Sequence, residues 1–218
     1  MTLEILEKYA SEYSLVLDKS HLSGFSLYLD ILTEWNSRMN LTGISERARI
    51  ITELLLDSLI PVPYMPKTGN MIDIGSGAGF PGLMIKVVRP DISIKLVEAN
   101  GKKVSFLKNV IRVLQLKGIS AVNDRIEVLS EAFKKEGINI ISSRAMTDLN
   151  TLIDICAPIL SPGGLFIGFL GSGWEADLKK SQSNLDSNRM TVDKTIPYRL
   201  PGKSGERAVV FLKKDSLI

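Results

Sequence analysis

A chain of 218 residues with one cysteine, Cys156, and one histidine, His21, has no disulfide framework. It also has almost nothing from which to build a zinc site, so no metal is expected, and a reducing, cytoplasmic setting is the plain inference. No apolar run is long enough to cross a bilayer, and the opening MTLEILEKYASEYS is acidic rather than basic. Neither a membrane partner nor a signal peptide is expected. Internal repeats and low-complexity tracts are missing as well. Nor does one charge sign dominate: 27 basic and 24 acidic residues leave +3. That is too mild to mark a nucleic-acid binder unless the charge is concentrated somewhere.

What is present is a globular hydrophobic fraction of 44%, arranged differently before and after about residue 66. Leu3, Leu6 and Ala10 recur at helical spacing, as do Leu22, Phe25, Leu29, Leu32 and Trp35. A third apolar run begins near Ser45 and passes Ile50, Leu54 and Leu59 before Pro61 and Pro63 stop it. Residues 1–66 therefore read as a helical extension packed on a core formed by residues 67–218. In that core, apolar runs at 71–74, 93–98, 119–122, 138–142 and 164–170 alternate with helix-like segments. The helical segments fall at about 81–88, 102–117, 126–136 and 147–157. This rhythm predicts a Rossmann-like α/β fold with a mostly parallel sheet. Residues 191–199 and 206–213 read as two more strands, joined by a Pro/Gly turn, and predict an antiparallel C-terminal finish. A monomer is expected, since the apolar stripes fit one core.

The stretch DIGSGAGFPG, residues 73–82, links the first strand to the first helix of that core. Glycines crowd there when backbone must approach a ligand closely, and in open parallel sheets ligands sit beyond the carboxyl ends of the strands. Gly75, Gly77 and Gly79 are the candidate cradle, and Pro81 suits a first helical position. Glu98, ending the second strand, can accept hydrogen bonds from both ribose hydroxyls of an adenosine. These features suit a dinucleotide and S-adenosylmethionine alike. Asp73 separates them: a carboxylate pointing out of the strand end would repel a pyrophosphate and welcome a sulfonium or an ammonium. The absence of a Tyr-x-x-x-Lys pair argues the same way. A methyl donor is the expected ligand.

Taken together, Trp35-Asn36…Asn40-Leu41-Thr42, Leu56-Asp57-Ser58-Leu59, the glycine stretch with its Phe80-Pro81-Gly82 ending, and Ser143-Arg144-Ala145 resemble the RsmG (GidB) family. The family consists of bacterial small-subunit ribosomal RNA methyltransferases, and the likeness runs from about residue 30 to the end. The resemblance implies a class I S-adenosylmethionine-dependent fold and methylation of a guanine N7 in 16S rRNA, free or in a small-subunit particle. It implies that Gly75 and Phe80 line the cofactor, that Ile126 and Glu127 hold its adenine end, and that Arg144 is catalytic, standing at the mouth between cofactor and RNA. Guanine N7 carries an in-plane lone pair, so alignment rather than proton removal is the main task.

Other readings stand beside these. Arg144 could serve only as a salt-bridge partner at a strand end. Arg199, Lys203 and Arg207, with Lys213 and Lys214, form a basic tail that is either a solvated face or a set of phosphate contacts; the first three are the candidate RNA-binding residues. Lys102, Lys103, Lys108 and Arg112 read as a solvated helix face, Trp35 and Cys156 as core, and His21 as structural or on the surface. Glu53 with Leu54, Leu170 and Ala208 depart from the family pattern, where polar or basic groups are usual, so the RNA-facing side is the part expected to differ. A different RNA, a small-molecule acceptor, or a cofactor-binding relative with weak catalysis are the alternatives.

Overall fold

The computed structural model describes residues 3–144 and 148–216. Ala145 of the Ser-Arg-Ala motif and the start of the helix expected at 147 lie outside the described residues. Strands β1 (Gly69–Ile74), β2 (Ile92–Glu98), β3 (Ile119–Asn123), β4 (Ile138–Arg144) and β5 (Leu160–Leu170) are parallel. β7 (Glu206–Lys214) runs antiparallel to both β5 and β6 (Met190–Arg199). Their order is β3-β2-β1-β4-β5-β7-β6. The chain therefore winds outward from β1 in both directions, which opens a crevice at the carboxyl ends of β1 and β4.

Alternation along each strand builds two cores, because successive side chains point to opposite faces. Met71, Ile140 and Ile167 enter one, while their neighbours Ile72, Ile141 and Phe166 enter the other. The first core is covered by α1 (Glu4–Glu12), α2 (Lys19–Asn36), α5 (Gly82–Val88) and α6 (Gly101–Val113), through residues such as Leu6, Phe25, Leu83 and Phe106. The second is covered by α7 (Ile126–Phe133), α8 (Leu149–Cys156) and α9 (Trp174–Ser187), through Ile126, Ile153 and Leu185. The N-terminal helices thus bury their apolar stripes against the same face as α5 and α6. Trp35 meets Phe106 edge-on, with centroids 5.7 Å apart.

Two elements differ from the reading of the sequence. The run from Ser45 is not one helix: α3 (Arg47–Ile50) passes into a π-helical segment, Ile51–Leu55, before α4 (Leu56–Leu59). One inserted residue rotates the next turn by roughly 100°, and Asp57 and Ser58 are completely buried. The helix α9 was not expected at all. Its sequence, WEADLKKSQSNLDS, buries only Ser181 and Leu185, too thin a stripe to register as periodic.

Of the two readings of His21 the structural one holds, and Cys156 is core as expected. Asp18 caps α2 by accepting from the backbone of Ser20 and His21, while His21 Nδ1 accepts the Asp18 N–H at 3.2 Å. Cys156 is buried among apolar groups, and that burial pushes its thiol up.

Candidate active site

The turn after β1 is built by backbone that few side chains permit. Gly75, Gly77 and Gly79 adopt φ of 68°, 56° and 100°. The Gly75 and Ser76 amides donate to the Val97 carbonyl, which ties the turn to β2. From the other side the buried Tyr28 of α2 donates its hydroxyl to the Ala78 carbonyl at 2.6 Å and meets Phe80 edge-on at 5.6 Å. The N-terminal helices therefore brace the glycine turn directly, a role their sequence does not announce.

Beside the turn lies a cavity of about 380 Å³, lined among others by Gly75, Glu98, Asp124, Ile126 and Glu127. Glu98 is fixed there by two backbone donors: Gly77 N–H at 2.9 Å and Asn100 N–H at 2.8 Å. A carboxylate accepts about four hydrogen bonds, so lone pairs remain for ribose hydroxyls. Asn100 also caps α6, accepting from Lys102 at 2.9 Å. Asp124 was not singled out from the sequence; its only signal is its place at the end of β3, on the edge where ligands sit. A half-buried carboxylate, an apolar Ile126 and glycines without Cβ atoms fit an adenosine with a cationic tail.

Two expected contacts are corrected. Asp73 does not point into the cavity. Its carboxylate is fully buried, accepting from Gly82 N–H at 3.1 Å and Ser142 Oγ–H at 2.6 Å. Burial raises its pKa to about 6, against the lowering effect of those donors. It still opposes a pyrophosphate, but from beneath: it already occupies the start of α5, where Pro81 is the cap residue and brings no N–H. Gly79 does not line the cavities either. A Cβ there would meet Leu83 Cβ at 2.9 Å, so this glycine serves packing.

A second cavity, about 280 Å³, adjoins the first at Gly75 and includes Gly77, Phe80, Leu54 and Arg144. Its wall is the loop after α2. There Asn36 Oδ1 accepts from Leu41 and Thr42 at 2.9 and 3.1 Å, and Thr42 Oγ1 accepts from Ile44 at 2.9 Å. This is the structural work of the Trp-Asn…Asn-Leu-Thr motif. Across Arg144 and Leu54 opens a third cavity of about 350 Å³, rimmed by Glu53, Lys203 and Arg207. Arg207 separates it from a fourth, of about 490 Å³, lined by Leu170 and Lys180. The four form one trough along the carboxyl edge of the sheet.

Arg144 lines both the second and the third cavity, and it also makes the ion pair of the plainer reading. It sits 5.6 Å over the Phe80 ring, and its Nη1 lies 3.2 Å from Asp57 Oδ2. Asp57 also lies 3.4 Å from Arg207 Nε and accepts from the Tyr198 hydroxyl. Burial and the adjacent Asp57 push the Tyr198 phenol up, so it remains a donor. Lys203 pairs with Glu53 at 3.1 Å. Arg199 is exposed, 3.8 Å from Glu206, and lines none of these cavities. Of the three departures from the family pattern, Leu54 and Leu170 face the trough, whereas Ala208 is wholly buried opposite Leu170 in the sheet. They do not share one rebuilt face.

The family model described as GidB, rRNA small subunit methyltransferase G, matches residues 21–210. The chain belongs to that family. Curated relatives named ribosomal RNA small subunit methyltransferase G include one from Lachnoclostridium phytofermentans, 35% identical over 91% of this chain and 83% of the relative. Another, from Staphylococcus epidermidis, is 31% identical over 98% and 90%. Among solved structures, M. jannaschii TYW2 in complex with AdoMet superposes with a TM-score of 0.57 at 10% identity, covering 72% of this chain and 73% of that one. Precorrin-6y C5,15-methyltransferase from Geobacter metallireducens gives 0.51 at 13%, over 78% and 90%. The fold is the class I Rossmann-like one, with a mixed sheet and N-terminal helices, and the GidB chain is an S-adenosylmethionine-dependent methyltransferase. Among the described residues no cluster of His, Cys, Asp and Glu is arranged to hold a metal, and no helix is long and apolar enough to cross a membrane.

Proposed function

We propose that this protein methylates N7 of a guanine in 16S rRNA, presented as free RNA or as the small ribosomal subunit. The observation that carries the proposal is the junction at Arg144, where the glycine-walled cavities open into one rimmed by Arg144, Lys203 and Arg207. S-adenosylmethionine supplies a methyl group activated on a sulfonium. Glu98, held by Gly77 and Asn100, fixes the ribose, and Asp124 and Ile126 face the adenine end. Lys203 and Arg207 present cations to the phosphates of an incoming strand, the contact that dominates RNA affinity. Arg144 stands between the two and orients the acceptor base, with Phe80 beneath its guanidinium. Neither His21 nor Cys156 lines these cavities, in keeping with an acceptor nitrogen that has no proton to lose.

Transfer of a radiolabelled methyl group to 16S rRNA, to small-subunit particles and to bulk tRNA tests the reading. Label in a ribosomal substrate that Arg144→Ala abolishes supports it. Label in tRNA alone rejects it.

A further inference from the structure

Two of the acceptor-side cations, Arg144 and Arg207, converge on Asp57, while Lys203 pairs with Glu53 instead. The Asp57 carboxylate has no exposure, yet groups from three separate elements converge on it: Arg144 of β4 and the Tyr198 hydroxyl of β6 donate to it, and Arg207 of β7 pairs with it at 3.4 Å while its Nε–H donates to the Tyr198 hydroxyl at 3.3 Å. The π-helical segment Ile51–Leu55 ends two positions before Asp57 and turns it inward. The two guanidinium groups sit on either side of the same oxygen pair, Arg144 on Oδ2 and Arg207 on Oδ1. Both also line the third cavity, and each lines one neighbouring cavity as well. A guanidinium carries five N–H donors, so the contact with Asp57 leaves most of them free to face the trough.

We propose that Asp57 is the positioning residue of the acceptor site: it anchors Arg144 and Arg207 as a fixed pair of cations spanning the cavity that receives the RNA. The inference deepens the function proposed above and rests on it. Preorganising two long, flexible side chains removes the cost of ordering them when the anionic strand arrives. A network of this kind acts as a unit, so removing its centre disables both arginines together.

The sign of the effect separates positioning from simple electrostatics. Asp57→Asn removes a negative charge from beside a basic cavity, and by Coulomb attraction alone it would tighten RNA binding. Positioning predicts the reverse: kcat/KM for small-subunit particles falls at least tenfold, while the calorimetric Kd for S-adenosylmethionine stays within twofold. It also predicts that Arg144→Ala, severe in the wild type, costs little more once Asp57 is Asn. A tighter KM, or fully additive losses, would overturn the proposal. Arg207→Lys offers a second variant that leaves the anchor in place. It keeps the charge but cannot both hold Asp57 and face the cavity, so kcat/KM should fall as far as in Arg207→Ala; activity near wild type contradicts the idea. A readout independent of the RNA is the NMR order parameter of the Arg207 Nε–H, held by the Tyr198 hydroxyl that Asp57 in turn fixes, which should be that of rigid backbone in the wild type and drop below about 0.6 in Asp57→Asn. A mobile wild-type guanidinium rejects the anchor. A rigid one in a protein that methylates no ribosomal RNA keeps the anchor and rejects the function.

Discussion

Asp73 Oδ2 lies 3.1 Å from the Gly82 amide nitrogen, and a Cβ placed on Gly82 would come within 2.6 Å of Asp73 Cβ and 2.7 Å of Leu96 Cδ2. β1, β2 and α5 thus touch at a point where only hydrogen fits. Gly82→Ala forces backbone apart there and is expected to cost about 1–3 kcal/mol of stability, as overpacking does. Urea unfolding should show the loss, and the S-adenosylmethionine Kd should rise with it because the glycine turn hangs on α5. Wild-type stability in this variant would show that α5 can slide freely.

The same carboxylate gives a pH dependence. Burial raises the Asp73 pKa to about 6 in the folded protein, above the value of about 3.9 for an unfolded aspartate. Between these values the folded state binds more protons, so the contribution of Asp73 to stability falls as pH rises through this window. The shift of about two units corresponds to about 3 kcal/mol. Asp73→Asn does not titrate. The unfolding free energy of the wild type minus that of the variant should therefore decrease between pH 4 and pH 7. An increasing difference, the behaviour of an ion-paired carboxylate, contradicts the burial argument.

Glu98→Ala removes the ribose acceptor and also orphans the Gly77 and Asn100 amides that it holds. Calorimetry should record a loss of roughly 1–3 kcal/mol in affinity for S-adenosylmethionine. Unchanged affinity would move the adenosine away from the end of β2.

The sheet and the cofactor edge were legible because their signals are local. Strand alternation, Gly75 and Gly77 at positive φ, and Glu98 at a strand end each follow from a few neighbouring residues. The direction of Asp73 was not, because whether a strand-end carboxylate faces a ligand or a helix start depends on α5 and on Ser142 from β4. Asp57 was visible only as part of a motif. Its partners lie 87, 141 and 150 positions away in the chain, and the π-helical segment that turns it inward leaves no mark on apolar spacing. α9 escaped because two buried residues make no stripe.

Lys203 is exposed and, among the described residues, pairs across the rim with Glu53. Such pairs contribute about 1 kcal/mol or less, so Lys203→Ala should leave thermal stability nearly unchanged. Its expected effect is on the RNA: weaker binding, with the slope of log K against log salt reduced by about 1. A large loss of stability with an unaltered slope would make Lys203 a structural latch instead.

Nucleoside mass spectrometry of RNA treated with the protein and S-adenosylmethionine tests the central claim most directly. The account predicts N7-methylguanosine in 16S rRNA or small-subunit particles, at about one per molecule, and none in tRNA. Methylation at another guanine position, or N7-methylguanosine confined to tRNA, would contradict it.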